Sequence, residues 1–191
     1  MKITFSKLVT VLLFFCCCST NYAQTASVEK STFGIQVALG AWTYAEIGLT
    51  DQIALRSEFG FDSGLFGSSV LSRTVFVLFP VLSLEPKWYY NLEKRAEKST
   101  LSDNNADYLS INLQHHPDWF TIGDDDGVIL IKDISVMVTW GIRRNIGKRF
   151  NYEIGLGFGY RYLFAKDAGF RKDEEESFAH IKARIGYRFK F

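Results

Sequence analysis

Two adjacent histidines, His115 and His116, precede an acidic run, Asp124-Asp125-Asp126-Gly127. Imidazole nitrogens and carboxylate oxygens in this combination are ligands for zinc or another divalent ion, and the acidic run offers hard oxygens to calcium. Neither spacing matches a defined motif: the run lacks the alternating ligands and terminal Glu of an EF-hand loop, and adjacent residues of an extended strand point to opposite faces. We therefore predict that residues 115–127 form a solvated external loop that is anchored by aromatic side chains. We predict no metal site there.

Ser177 and His180, with Glu175 or Glu176 nearby, supply the residue types of a nucleophile, a base and an orienting carboxylate. A hydrolase that uses a serine nucleophile would need such a set in one site. Ser177 and His180 have opposite parity along a regular strand, so their side chains point to opposite faces and no hydrogen bond between them is expected. We predict that the His180 side chain points into the interior of the folded domain, near its outer end. We propose no catalytic residue.

Three glycines, Gly155, Gly157 and Gly159, alternate with larger residues. A glycine-rich phosphate loop opens a helix, whereas these glycines lie inside a predicted strand with no helix after it. We interpret them as positions that make room for large inward side chains and allow the sheet to curve. No cofactor is predicted.

The elements that carry these residues are predicted to be β-strands, because apolar and polar residues alternate in segment after segment. In the clearest case, Ile181 and Ile185 share one face while Lys182 and Arg184 share the other. Eight strands are predicted, over residues 33–39, 44–49, 53–61, 82–90, 108–114, 133–143, 150–164 and 177–191. Pro86 lacks an amide donor, so a bulge or local irregularity is expected beside it.

The alternation fits either a soluble β-sandwich or a membrane barrel with its apolar face outward. Aromatic residues favour the barrel because they gather at strand ends, as in the girdles at the two membrane interfaces. They are Trp42, Tyr44, Trp88, Tyr90, Trp140, Phe150, Tyr152, Tyr160, Tyr162, Tyr187, Phe189 and Phe191. We predict an all-β fold, an antiparallel up-and-down eight-stranded transmembrane β-barrel, with a soluble secreted sandwich as an alternative.

The connections support the barrel, because long external loops should alternate with short periplasmic turns. The predicted external connections are 62–72, 115–127 and 165–176, and the periplasmic ones are 50–52, 91–105 and 144–149. Residues 91–105 are an exception to the alternation, since this periplasmic connection is long.

The polar face supplies almost equal numbers of acids and bases to the interior, which in an eight-stranded barrel is only wide enough for side chains. The acids are Glu46, Glu58, Glu85, Asp133 and Glu153, and the bases are Arg56, Lys87, Arg143, Arg161, Lys182 and Arg184. Buried charges without partners are costly. We therefore predict that these acids and bases form ion pairs with one another and fill the interior of the barrel.

The amino-terminal residues are predicted to be a secretory signal peptide. Lys2 and Lys7 precede an apolar run over residues 8–18, and Tyr22-Ala23-Gln24 follows, with cleavage expected after Ala23. The apolar run is much shorter than the roughly 20 residues of a membrane-spanning helix. All three cysteines lie in this segment, so no disulfide is expected in the domain that remains, residues 24–191.

Charge composition excludes nucleic acid as an expected partner. The chain has 22 Lys and Arg against 21 Asp and Glu, a formal net charge of +1. Binding to a phosphate backbone requires a basic excess, which is missing here.

The carboxyl-terminal pattern Ile185-Gly186-Tyr187-Arg188-Phe189-Lys190-Phe191 resembles the assembly signal of outer-membrane β-barrel proteins. Together with the Ala23-Gln24 junction and the stretch Ser83-Leu84-Glu85-Pro86-Lys87-Trp88-Tyr89-Tyr90-Asn91, it makes the chain similar to the small OmpA/OmpW-like outer-membrane barrels of Bacteroidota. The resemblance implies export to a Gram-negative outer membrane and insertion by the barrel-assembly machinery. The family has no common activity, so no functional residues are implied.

The sequence therefore predicts a monomeric structural or interaction protein of the cell outer membrane, not an enzyme. Its expected partners are outer-membrane lipid, lipopolysaccharide and, during insertion, the barrel-assembly machinery. A narrow, porin-like channel or transporter for small solutes is the first alternative function, and a membrane-embedded lipid hydrolase is the second.

Overall fold

A computed structural model describes residues 26–67, 74–96, 104–123 and 129–189. The predictions for residues 1–23, for 124–127 and for the final Lys190 and Phe191 fall outside these ranges. Within the described ranges, no helix has both the length and the apolar character needed to cross a membrane.

One antiparallel sheet of nine strands makes up the fold, and eight of its strands form a closed ring. The strands are β1 (Ser31–Val37), β2 (Ala41–Gly48), β3 (Ile53–Gly67), β4 (Thr74–Trp88), β5 (Asp107–His116), β6 (Ile122–Gly123), β7 (Asp133–Ile146), β8 (Phe150–Leu163) and β9 (Glu174–Phe189). β1 pairs with β9, and β3 pairs with β4, which closes the ring. The predicted all-β antiparallel fold is confirmed.

The β3–β4 hairpin is much longer than predicted. Its register runs from Ile53 opposite Trp88 to Gly67 opposite Thr74, so residues 62–67 of the loop predicted over 62–72 are strand. The first half of β4 shows no alternation because both of its faces are apolar: Val75 and Val77 are buried while Phe76 is exposed. An apolar run of this kind cannot be assigned by period-two alternation.

Pro86 interrupts the pairing of β4 with β5 without shifting the register of the two strands. β4 and β5 pair from Leu82 to Leu84 and again from Lys87 to Trp88, and the register is the same on both sides of the gap. The predicted irregularity is therefore present as two missing pairs, because proline has no amide hydrogen for the ladder. It is not a bulge, since a bulge adds a residue to one strand.

The two faces of the ring have the polarity that the alternation predicts. Leu156 and Ile181 are 59% and 74% exposed on the outside, whereas Lys182 and Arg143 are 2% and 0% exposed inside. Gly157 leaves the space predicted for an inward neighbour, because a Cβ there would lie 2.7 Å from the Thr139 hydroxyl. Apolar side chains therefore surround the ring and charged side chains fill it.

We call one end of the ring the closed end. It carries connections 49–52, 89–106 and 147–149. The longest of these contains helix α1 (Leu92–Ala96), and it contributes to a small buried apolar cluster. The cluster comprises Val28, Ala54, Tyr89, Leu92, Ala106 and Tyr108. The connection predicted over 91–105 is therefore long because its residues help to fill this end.

We call the opposite end the open end. It carries connections 38–40, 117–132 and 164–173. Residues 164–173 include a short 3-10 helix (Ala165–Ala168). The backbone amide of Lys166 donates to Asp173 at 3.0 Å, and this hydrogen bond holds the pKa of Asp173 below its ordinary value. A second contact, from Lys132 to Asp167 at 2.6 Å, joins the two longer connections.

Candidate functional site

The centre of the ring holds a buried network of charges around Glu153. Its carboxylate accepts hydrogen bonds from Lys87 Nζ at 2.6 Å and from Tyr108 Oη at 2.5 Å. Arg56 and Lys182 also contact it, at 3.4 and 3.5 Å. Gln36 Nε2 donates to it as well, at 3.2 Å. Five strands thus supply partners to one carboxylate whose side chain has no exposure, and the predicted pairing of interior charges is confirmed.

A second carboxylate, Glu46, organises the side of the network nearer the closed end. It accepts hydrogen bonds from Arg143 Nη1 at 2.8 Å and from Tyr89 Oη at 2.8 Å. The side-chain amide of Asn104, in the long closed-end connection, donates to the same carboxylate. This connection therefore contributes to the polar interior, because Asn104 adds a neutral donor to a buried carboxylate that also accepts from Arg143.

Two aromatic residues predicted for the membrane girdle lie inside the ring instead. Trp42 and Tyr44 are 7% and 4% exposed. The guanidinium of Arg184 stacks over the Trp42 ring at 3.7 Å, and that of Arg56 stacks over Tyr44 at 4.0 Å. The prediction was wrong at these positions because it considered closeness to a strand end and ignored parity: both residues share a face with the inward Glu46.

His116 lies between two carboxylates near the open end. Its Nε2 faces Asp62 at 3.0 Å, and its Nδ1 faces the two carboxylate oxygens of Asp133 at 3.0 and 3.1 Å. Ionised carboxylates only accept hydrogen bonds, so the imidazolium form, in which both nitrogens donate, satisfies the whole arrangement. His116 thereby links β3, β5 and β7.

The prediction of a solvated loop is wrong at its first two residues, because His115 and His116 belong to β5 and His116 is 4% exposed. They do point to opposite faces, as expected for adjacent strand residues. The aromatic anchor is confirmed for Phe120, whose ring lies 6.1 Å from that of Phe61.

We expect His116→Gln to destabilise the ring, because a neutral amide cannot donate charged hydrogen bonds to both Asp62 and Asp133. The expected loss is about 1–3 kcal/mol of unfolding free energy, measured by urea titration of the refolded protein in detergent. His180→Gln is the matched control, because His180 has no hydrogen-bond partner among the described residues. Equal stability of the two variants would contradict the linking role of His116.

Above the charge network, a cavity of about 790 Å³ opens at the open end; we call it the cup. Its titratable lining residues are Asp62, His116, Asp133, Arg161, His180, Lys182 and Arg184. Its apolar lining includes Leu39, Phe79, Ile129, Leu130, Ile131 and Leu163. The cup ends on the paired charges below it, so it is a blind cavity in the part of the chain that the structure describes.

The residues that a hydrolase would need are not brought together, as the sequence predicts. His180 lines the cup, as predicted for an interior residue near the rim, whereas Ser177 is exposed on the other face of β9. Glu176 contacts Arg161 at 3.3 Å, and Glu175 accepts a hydrogen bond from Tyr160. No pair among these residues has the geometry of a nucleophile with its base.

Among the described residues, no group of three or more His, Cys, Asp or Glu side chains is placed to hold a metal ion. The acidic run 124–127 lies outside those residues.

Sequence reasoning missed Asp62, which accepts hydrogen bonds from Trp42 Nε1 at 2.7 Å and Gln114 Nε2 at 3.0 Å in addition to its contact with His116. The predicted strand ended at Phe61, so Asp62 was assigned to a loop. The available signal was parity, because Asp62 is four residues after the inward Glu58 and therefore shares its face.

Comparison of the chain with protein-family models, with curated proteins and with solved structures gave no match.

Proposed function

We propose that this chain is an eight-stranded outer-membrane β-barrel protein with a structural or interaction role. The observation that carries the proposal is the inverted polarity of the ring: Leu156, Phe158 and Ile181 are 59%, 65% and 74% exposed while Arg56 and Glu153 have no exposure. A soluble protein rarely exposes an apolar surface of this extent. Hydrocarbon around the ring removes that cost, and a closed ring leaves few backbone groups without partners.

Aromatic residues near the closed end support a membrane interface there. Trp88, Tyr90 and Trp140 are all at least 39% exposed, and Trp140 Nε1 donates to Tyr90 Oη at 2.8 Å. Phe150 packs edge-to-face on Tyr187 at 5.2 Å in the same region of the sheet. Amphipathic rings at the boundary between chain and headgroup are typical of outer-membrane barrels.

The interior supports a role that does not depend on conduction. Glu46, Glu85 and Glu153 join cations from opposite sides of the ring, and the apolar cluster lies towards the closed end. In this proposal, the closed end faces the periplasm and the open end faces the outside of the cell. The protein would act as a monomer among outer-membrane lipid and lipopolysaccharide after insertion by the barrel-assembly machinery.

Membrane fractionation combined with a heat-modifiability gel tests this proposal. We expect the protein in the outer-membrane fraction, extracted only by detergent, and a gel band that shifts when the sample is boiled. A closed barrel resists unfolding in detergent until it is heated, because each strand is paired on both sides. Recovery from the aqueous fraction with no heat shift would contradict the proposal.

Conductance separates the structural role from the channel alternative. The protein reconstituted in planar bilayers should give no more current than a protein-free bilayer, because the paired charges occupy the interior. Discrete conductance steps from heat-shifting, correctly folded protein would favour a channel.

A further inference from the structure

The wall of the ring is low beside the cup. β1 and β2 end at the turn 38–40, whereas β9 continues past them from Arg184 to Glu174. The last pair between β1 and β9 joins Val37 to Ile185, and beyond it β9 pairs only with β8 among the described strands. The cup therefore has a lateral notch, bordered by the 38–40 turn and the free edge of β9.

The notch has apolar borders. Leu39 is 77% exposed at the tip of the turn, and Ile181 is 74% exposed on the outer face of β9. Leu163 and Ile131 continue the apolar lining inside the cup. A hydrocarbon chain lying through the notch would contact apolar side chains from the outer surface of the ring to the cup wall.

Cations outnumber acids on the cup surface. Arg161, Lys182, Arg184 and the His116 imidazolium line the cup together with only two carboxylates, those of Asp62 and Asp133. The carboxylates that pair with Lys182 and Arg184 are Glu85, Glu153 and Glu58, and none of these three lines the cup. The charged side chains that line the cup therefore carry a net positive charge, although Arg161 also contacts Glu176 at 3.3 Å.

Two groups in the cup have hydrogen-bonding capacity to spare. No hydrogen-bond partner of the His180 ring lies among the described residues, although the ring lines the cavity. The Nε of Arg161 is buried without a hydrogen-bond acceptor, its nearest carboxylate oxygen being that of Asp133 at 3.8 Å. Buried polar groups normally have partners, and an anionic group in the cup would supply one to Arg161 Nε and would also accept a hydrogen bond from the half-buried His180 ring.

We propose that the cup binds an amphiphilic anion, with its phosphate or carboxylate head between His180 and Arg161 and an apolar chain in the notch. This inference rests on the proposed membrane location, which brings lipid to the notch. The volume of about 790 Å³ lies in the ordinary range of small-molecule sites. The ligand is either a membrane lipid or a free amphiphile, since both present this chemistry.

Titration calorimetry with hexyl phosphate tests the site, using wild-type protein in phosphatidylcholine nanodiscs and empty nanodiscs as the blank for partitioning. We expect saturable binding that is at least about tenfold tighter than that of inorganic phosphate, hexanol or hexyltrimethylammonium, because only hexyl phosphate has both the anionic head and the chain. Equal binding of hexyl phosphate and hexyltrimethylammonium would overturn the proposed anion site.

Variants locate the head group. His180→Ala and Arg161→Gln should each weaken hexyl phosphate binding by about tenfold. The matched control is Lys166→Gln, which removes a cation from the open end outside the cup and should leave the affinity unchanged. Unchanged affinity in both cup variants, or no saturable binding by wild-type protein, would overturn the proposal.

A further arm distinguishes the two ligand sources. If a membrane lipid occupies the cup, replacing part of the phosphatidylcholine with phosphatidic acid should weaken apparent hexyl phosphate binding to the wild type by competition. If the ligand is a free amphiphile, the affinity should not change. The heat-shift gel is run on every sample, so failure of the cup in inserted protein is distinguishable from failure of the membrane proposal.

Discussion

Replacing Glu153 with Gln should destabilise the protein by about 3–5 kcal/mol, the cost of breaking a buried ion pair by removing one partner. The carboxylate of Glu153 contacts Lys87, Arg56 and Lys182 and accepts a hydrogen bond from Tyr108. Gln has nearly the same shape but no charge, so three buried cations lose part of their compensation. Urea-dependent unfolding in lipid vesicles, followed by the gel shift, measures the loss.

Glu176→Gln is the matched control for Glu153→Gln. Glu176 also pairs with an arginine, Arg161 at 3.3 Å, but its side chain is 50% exposed. An exposed pair contributes only about 0–1 kcal/mol. The double variant Glu153→Gln/Lys87→Gln should recover part of the loss, because it removes a cation together with the anion. Equal stability of the two single variants would show that the interior network does not hold the ring together.

Leu156→Arg should destabilise the protein in a bilayer by about 2–4 kcal/mol, the cost of a cation on the lipid face near the bilayer midplane. Leu156 lies at the middle of β8 and is 59% exposed. In water, an exposed leucine replaced by arginine changes stability by no more than about 0.5 kcal/mol. The size of the effect therefore reports which medium surrounds the ring.

The matched control for Leu156→Arg is Ile129→Arg. Ile129 is 61% exposed, but it lies in the open-end connection rather than in a strand. Arginine there should cost less than about 1 kcal/mol, as near a membrane interface. Both variants are compared by urea unfolding in phosphatidylcholine vesicles. A loss below about 0.5 kcal/mol for Leu156→Arg in inserted protein would contradict the membrane location.

The buried network defines a specific interior more than it adds stability. Replacing a buried ion pair with well-packed apolar residues is often neutral or favourable, because the charges lose hydration on burial. The outer face of the ring is already apolar, however. If the interior were apolar too, the two faces of each strand would be alike. The contrast between Ile181 and Lys182 marks which face turns inward, and a one-residue slip would reverse it.

Much of this fold was predictable from residue types along the strands. Alternation placed Lys182, Arg184 and Glu153 on one face and Leu156 and Ile181 on the other, because successive strand residues point to opposite faces. The aromatic residues at strand ends then indicated that the polar face is the inner one. It also separated Ser177 from His180. The prediction failed where alternation was missing, as in the first half of β4, and where strand-end position was used instead of parity, as for Trp42 and Tyr44.

The sequence by itself determined the strands, the polarity of their two faces and the near balance of interior charge, because these depend on residues adjacent in the chain. Only the tertiary structure decided which charges meet. Glu46 contacts Arg143 and Asp62 contacts His116 across strands far apart in sequence, and the short β1–β2 hairpin beside the long β9 creates the notch. These features depend on strand register and ring closure, which join distant segments and leave no local pattern to read.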